Sequence, residues 1–259
     1  MRDPHVVALH YRLETGPQPA FNDPSPMTWD LDAFTLQLSD GQLSVEMKDH
    51  FATVDAAQRE VEPYLRSWEI DAALKYGAGA MRFRFDRPRM IDRDTPPPGA
   101  SSVITPMAAE VVVVGEIPVV RAIRGQYPEP PERFRASVDV VAMWERYEGY
   151  LADKEPLPAM AQYCLTVVEQ SVGGPQARRR AANRYVIDYG VLSHLGYLAS
   201  EVGDARTGRK KGRVIRPHTP AETAWMEAVV KRMIQRVGEW AYDPNVQSPQ
   251  ITREDFPRL

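Results

Sequence analysis

The sequence has little cysteine and no long apolar run. Cys164 is the one cysteine among 259 residues, which excludes an internal disulfide and a thiolate metal cage. Four valines at 111–114 are typical of its short apolar stretches, far below the ~20 residues of a membrane-spanning helix. The first residues also lack the apolar region of a signal peptide. We therefore expect a soluble, cytoplasmic protein without a membrane partner.

Histidine is scarce as well, and the chain lacks the common catalytic motifs. The five histidines do not fall at metal-ligand spacing, and no phosphate-binding loop, nucleophile elbow or zinc-protease motif occurs. The sequence thus predicts neither a metal site nor a cofactor. It leaves open whether the protein is an enzyme and favours a function without catalysis.

Proline is abundant, and its distribution divides the chain. Of 23 prolines, fourteen lie in residues 1–26 and 88–131, where we expect turns and extended connections. Alternating apolar residues flank Asp40-Gly41, which predicts a β-hairpin because glycine tolerates the positive φ of such a turn. A further alternating strand is predicted at 80–85. One helix is predicted from Thr53, with Pro63 expected to kink or restart it.

Helix signals dominate after about residue 132. Thr219-Pro220-Ala221-Glu222 is a capping box that predicts the start of the last helix. Gly173-Gly174-Pro175 ends one helix and starts another, which we expect to run to about Ser200. The predicted class is α+β, with a mostly antiparallel β domain with one helix at 1–131 and a four- to five-helix bundle with a C-terminal tail at 132–259.

Charge is distributed unevenly along the chain. Residues 1–131 carry 13 basic and 19 acidic side chains, and residues 132–259 carry 19 and 16, so the net charges are −6 and +3. Residues 176–218, the basic segment, hold ten basic and three acidic side chains, a net charge of +7. Its basic residues are Arg178, Arg179, Arg180, Arg184, Arg206, Arg209, Lys210, Lys211, Arg213 and Arg216.

Several roles for the basic segment stay open. Clustered arginine and lysine gain affinity for nucleic acid by releasing its counterions, so one hypothesis is a binding protein that contacts nucleic acid or an acidic partner surface. Another is a structural, homo-oligomeric protein whose basic half docks on the acidic half of a neighbour, and a third is plain solvation. Tyr185, Tyr189 and Tyr197 fall at helical spacing, which argues against a stacking platform for single strands.

The stretch Arg213-Val-Ile-Arg-Pro-His218 supports a further hypothesis. An arginine, four residues and a histidine beside the start of a late helix resemble the signature of HEPN domains, helical domains that include dimeric, metal-independent endoribonucleases. The resemblance covers about residues 132–243 and implies catalytic roles at RNA phosphate for Arg213 and His218. The motif departs from the family at Val214, where a polar residue is usual, and at Pro217.

Overall fold

The fold is mixed α+β, as the sequence predicts. The computed structural model describes residues 3–16, 20–21, 24–94, 123–124, 126–203, 214–245 and 247–259. Within these ranges an antiparallel sheet with one helix precedes a helical region of five helices. The strands are β1 (Pro4–Glu14), β2 (Ala20–Phe21), β3 (Met27–Asp30), β4 (Phe34–Ser39), β5 (Gln42–Met47), β6 (Arg82–Asp92), β7 (Ile123–Arg124), β8 (Val202–Gly203) and β9 (Val214–Ile215). The helices are α1 (Val54–Tyr76), α2 (Val138–Leu151), α3 (Leu157–Val172), α4 (Ala177–Arg184), α5 (Tyr189–Ser200) and α6 (Pro220–Tyr242).

The main sheet has the strand order β3-β4-β5-β1-β6, and every neighbouring pair is antiparallel. The hairpin between β4 and β5 confirms the prediction at Asp40-Gly41. Both turn residues have positive φ, 49° at Asp40 and 71° at Gly41, which matches the twist of the flanking strands. Inward-facing residues such as Leu36 and Val45 are fully buried, so this face of the sheet is the apolar one.

Strand β6 is longer than the sequence predicts. It continues past residue 85 through Pro88 to Asp92 because it pairs with β1 over most of its length. Helix α1 is also continuous through Pro63, so the predicted restart does not occur. In β6 the pairing with β1 outweighs the one N–H group that Pro88 lacks, and in α1 the remaining helical hydrogen bonds outweigh the one that Pro63 lacks.

The chain divides into two compact units. The sheet unit comprises Met1–Leu65 and Gly79–Glu129, and the helical unit comprises Arg66–Ala78 and Pro130–Leu259. The second half of α1 thus belongs to the helical unit, whereas the sequence places the whole helix in the N-terminal domain. The reason is that Ile70, Ala73 and Leu74 join the apolar core of the helical unit.

Helix α3 lies at the centre of the helical unit, since it packs against α2, α4, α5 and α6. Cys164 on this helix is fully buried, and burial raises the pKa of its thiol to about 12. A buried, protonated thiol is a small apolar core group and not a nucleophile. None of the helices in the described ranges combines the length and apolarity needed to cross a membrane.

The buried Tyr11 gives a test of the sheet unit. Its side chain is 3% exposed, and its hydroxyl has no hydrogen-bond partner among the described residues. Burial raises the pKa of this hydroxyl. Because an unpaired buried hydroxyl opposes folding, we expect Tyr11→Phe to leave the free energy of unfolding unchanged or raise it by up to about 1 kcal/mol, as measured by urea denaturation.

Tyr185 supplies the matched control for this prediction. It is equally buried, at 1% exposure, but its hydroxyl lies 2.8 Å from the Ser171 hydroxyl. Tyr185→Phe is therefore expected to cost about 1 kcal/mol. Equal losses in the two variants would show that the Tyr11 hydroxyl is satisfied after all.

Candidate nucleic-acid interface

The first part of the basic segment folds as two helices, which corrects the prediction of one helix from 175 to about 200. The chain leaves α4 at residue 185, and Val186 takes a left-handed φ of 51°. The N–H of Ile251 then donates to the Val186 carbonyl at 2.9 Å, and the Asp188 N–H donates to the Ile251 carbonyl at 2.8 Å. The Asp188 carboxylate caps α5 by accepting from the Gly190 N–H at 2.6 Å. Pairing with the C-terminal tail thus replaces helical hydrogen bonds at this break.

Arg236 of α6 also stabilises the break between α4 and α5. Its side chain is buried at 2% exposure, and its Nη1 donates to the carbonyls of Tyr185 at 2.9 Å and Val186 at 3.3 Å. Its Nη2 donates to the Pro249 carbonyl at 2.8 Å, and its Nε to Glu239 at 2.8 Å. One guanidinium therefore joins α6, the break and the tail.

Three of the predicted anion-binding arginines are engaged within the helical unit, and Arg178 is the first. Its Nε donates to Glu169 of α3 at 2.6 Å. Its guanidinium also lies against Gly196 of α5, where a Cβ atom would come within 2.7 Å of Nη1. Arg178 therefore ties α4 to its two neighbouring helices.

Arg180 and Arg184 cover the C-terminal end of α3. They donate to the carbonyls of Gly173 at 2.8 Å and Ser171 at 2.7 Å, respectively. These carbonyls lie where α3 leaves its last backbone acceptors unpaired and where its dipole favours positive charge. The Arg184 guanidinium also lies 5.0 Å from the Trp240 ring centroid. Both side chains thus stabilise the helical unit, which leaves fewer of their N–H donors free for a ligand.

Arg179 differs from these three. Its side chain is exposed, and its guanidinium lies 5.6 Å from the ring centroid of Tyr189. Among the residues that the structure describes, it has no carboxylate partner. Arg179 is therefore available to an anion at the N-terminal end of α5.

Five of the predicted residues lie outside the described residues: Arg206, Arg209, Lys210, Lys211 and Arg213. The ends of the stretch that carries them are described, however. Strands β8 and β9 pair in parallel, Val202 opposite Val214 and Gly203 opposite Ile215, and the Val214 N–H donates to the Glu201 carbonyl at 2.9 Å. The chain therefore enters and leaves residues 204–213, called the basic stretch below, at the C-terminal end of α5.

Arg216 follows the basic stretch in the sequence and is paired. Its two Nη atoms donate to the two carboxylate oxygens of Glu222 at 2.6 and 2.7 Å. Glu222 also accepts from the Thr219 N–H at 2.8 Å, while the Thr219 hydroxyl accepts from the Glu222 N–H at 3.1 Å, which confirms the capping box. The hydrogen bond from Arg216, helped by that from the Thr219 N–H, lowers the pKa of Glu222 to about 2.

This pair predicts a pH effect on stability. A carboxylate whose pKa falls from 4.5 to about 2 on folding stabilises the folded state fully above about pH 4.5 and loses that contribution as the pH falls toward 2. Glutamine at 222 keeps the capping geometry but cannot ionise. We therefore expect Glu222→Gln to cost about 1 kcal/mol at pH 6, since Arg216 is partly exposed, and the difference from the wild type to shrink by pH 3.

Urea denaturation at several pH values measures this difference. Glu254→Gln, at an exposed position of the same unit, controls for the general effect of removing a carboxylate. A difference between wild type and Glu222→Gln that stays constant from pH 6 to 3 would contradict the predicted coupling.

The two histidines of this region each connect α5 with the start of α6. His218 Nε2 lies 3.0 Å from the Leu198 carbonyl; because a carbonyl only accepts, Nε2 carries the proton and Nδ1 is the acceptor. The His194 ring stacks on Tyr197, with centroids 6.0 Å apart and planes at 28°, and meets Trp225 edge-on at 5.0 Å. Burial lowers the pKa of His194. In the described ranges, no three His, Cys, Asp or Glu side chains come together as metal ligands.

The three tyrosines of the basic segment differ in their exposure to solvent. Tyr185 is buried, whereas Tyr189 and Tyr197 are 46% and 41% exposed. At about 100° per residue, Tyr189, Ser193 and Tyr197 fall within an arc of about 80° on α5. The buried apolar side chains occupy the opposite side: Val191, Leu192, Leu195, Leu198 and Ala199. A helical wheel of residues 189–200 could therefore have identified the two exposed rings from the sequence.

No protein-family model matches this chain, and no curated protein or solved structure matches it either. The resemblance of residues 132–243 to HEPN domains therefore stays a prediction.

Proposed function

We propose that this protein binds nucleic acid through the basic segment, with phosphate contacts that do not depend on base sequence. The observation that carries the proposal is Arg179, which lies exposed at the N-terminal end of α5. At the C-terminal end of this helix the chain enters and leaves the basic stretch, whose sequence holds five of the predicted basic residues. Twelve helical residues span about 18 Å, the length of about five phosphates at 3.4 Å per nucleotide.

The composition of the basic stretch supports the same function. Residues 204–213 contain five basic side chains and one acidic one, Asp204, so their net charge is +4. Each phosphate that such side chains neutralise releases condensed counterions, and affinity therefore falls steeply with salt. An acidic protein surface is the other partner that this charge would attract, and it is distinguished by the same experiment.

The test is fluorescence anisotropy of a labelled oligonucleotide at low salt. We expect the wild type to bind and a basic-stretch variant, with Arg209, Lys210, Lys211 and Arg213 all changed to alanine, to bind at least tenfold more weakly. The matched control removes the same charge from the sheet unit by changing Arg12, Arg84, Arg87 and Arg89, whose side chains are 54–62% exposed. Equally weak binding by the wild type and both variants would overturn the proposal.

A metal-independent ribonuclease at Arg213 and His218 is the second candidate. The observation that favours it is the orientation of His218: with Nε2 bound to the Leu198 carbonyl, Nδ1 can take a proton from an attacking hydroxyl, as a general base does. The test is RNA degradation by the purified protein in the presence of a metal chelator. Loss of degradation in His218→Ala supports this activity, and equal degradation by that variant eliminates it.

A further inference from the structure

We infer that the nucleic acid bound at the basic segment is unpaired, and that Tyr189 and Tyr197 stack on its bases. The inference rests on the proposed function and adds to it the class of strand. Its basis is the exposed face of α5, where both rings are nearly half exposed, at 46% and 41%. Large aromatic side chains are usually buried. Two exposed rings on one face of one helix therefore indicate a surface that binds a ligand.

Each ring is held on one side by another side chain. The Arg179 guanidinium lies over Tyr189 at 5.6 Å, within the range of a cation–π contact. Tyr197 stacks on His194, which in turn meets the buried Trp225. Rings fixed in this way lose little conformational freedom when a ligand stacks on them, which favours affinity.

The spacing of the rings suits a short run of nucleotides. Tyr189 and Tyr197 are eight residues apart on α5, which corresponds to about 12 Å along the helix axis. At 3.4 Å per nucleotide this is the length of three to four stacked bases. Every base offers an aromatic face when it is unpaired, whereas a duplex hides those faces in its own stack. The two rings therefore select for an unpaired strand and not for a base sequence.

The charge around the rings matches the backbone of such a strand. Arg179 lies beside Tyr189, the basic stretch begins seven residues after Tyr197 in the sequence, and Asp188, the acidic residue nearest to Tyr189 in sequence, is engaged in capping α5. Aromatic rings between positive groups are the combination used by proteins that bind single strands. A second copy of this chain or an acidic peptide could offer an apolar or acidic surface to this face of α5. Neither offers a base that would stack on the two rings.

The experiment compares anisotropy of a labelled ten-nucleotide strand with that of the same strand annealed to its complement. We expect the single strand to bind more tightly, Tyr189→Ala and Tyr197→Ala each to weaken it by about tenfold, and the double variant by about 100-fold. Tyr→Phe at either position should retain wild-type affinity because the ring remains. Tyr242→Ala, at a ring that is 56% exposed at the end of α6, is the control and should bind like the wild type.

The outcomes separate this inference from the function on which it rests. If the basic-stretch variant loses affinity while both tyrosine variants bind like the wild type, or if the duplex binds as tightly as the single strand, the stacking inference is wrong and the proposed function stands. If the wild type binds neither strand, the proposed function itself is wrong. Because Tyr197 supports His194, Tyr197→Leu provides a second variant that keeps apolar bulk. It should lose affinity like alanine while unfolding at the wild-type temperature, and wild-type affinity in this variant would also overturn stacking.

Discussion

Arg236→Met is expected to lower the free energy of unfolding of the helical unit by about 3–5 kcal/mol. The guanidinium is 2% exposed and donates to three backbone carbonyls and to Glu239. Methionine has similar length but no donor, so the carbonyls of Tyr185 and Pro249 would lose their donor, each at a cost of ~1–3 kcal/mol. The Val186 carbonyl would still accept from the Ile251 N–H, and Glu239 would still pair with Arg232. Urea denaturation followed by tryptophan fluorescence measures the loss.

Arg232 provides a matched control on the same helix. It pairs with the same carboxylate, Glu239, at 2.8 Å, but its side chain is 29% exposed. An ion pair that water can reach contributes little, so Arg232→Met is expected to cost less than about 1 kcal/mol. If the two variants were destabilised equally, the buried carbonyl contacts of Arg236 would not be the source of its effect.

Gly238→Ala is expected to destabilise the helical unit by about 1–3 kcal/mol, against the usual helix preference. In a helix interior alanine is normally better than glycine by about 1 kcal/mol. Here, however, a Cβ at position 238 would lie 2.1 Å from Cε2 of Phe134, a ring that is 5% exposed. Since the ring is packed in the core, it cannot move aside without disturbing its neighbours.

Gly149→Ala tests the same substitution where there is room. A Cβ at position 149 of α2 meets only the flexible end of the Glu155 side chain, at 3.9 Å. We expect this variant to be as stable as the wild type or more stable by up to about 1 kcal/mol. Thermal unfolding of both variants decides the question, and a stabilised Gly238→Ala would contradict the packing described for Phe134.

Features that depend on neighbouring residues could be predicted from the sequence. The Asp40-Gly41 hairpin and the Thr219 capping box both occur where their motifs lie, because a turn or a cap is decided within a few residues. The α+β class follows from the same local periodicities.

Features that depend on distant residues could not be predicted in this way. The break between α4 and α5 exists because Ile251 and Arg236 bond to the backbone around Val186, and these residues lie 50 or more positions away in the chain. Likewise β6 continues beyond the alternating stretch because β1 pairs with it. Local propensity carries no information about either partner.

The candidate interface was predictable in part. The number of positive charges in the basic segment can be counted from the sequence. Which of them are paired within the protein and which are exposed cannot. Only the structure shows that Arg178 and Arg216 are paired with carboxylates, while Arg179 lies over Tyr189. The helical spacing of the tyrosines by itself argues against stacking, whereas in the structure Tyr189 and Tyr197 lie off the buried side of α5.

The salt dependence of oligonucleotide binding tests the central claim most directly. The slope of the logarithm of the binding constant against the logarithm of the salt concentration is about −0.7 for each phosphate of a single strand that is neutralised. Alanine at 209, 210, 211 and 213 removes four positive charges, so the slope should become shallower by about 3 if all four side chains contact phosphate. The sheet variant that lacks Arg12, Arg84, Arg87 and Arg89 should keep the wild-type slope. An unchanged slope in the basic-stretch variant, or an equal change in both variants, would contradict the proposed function.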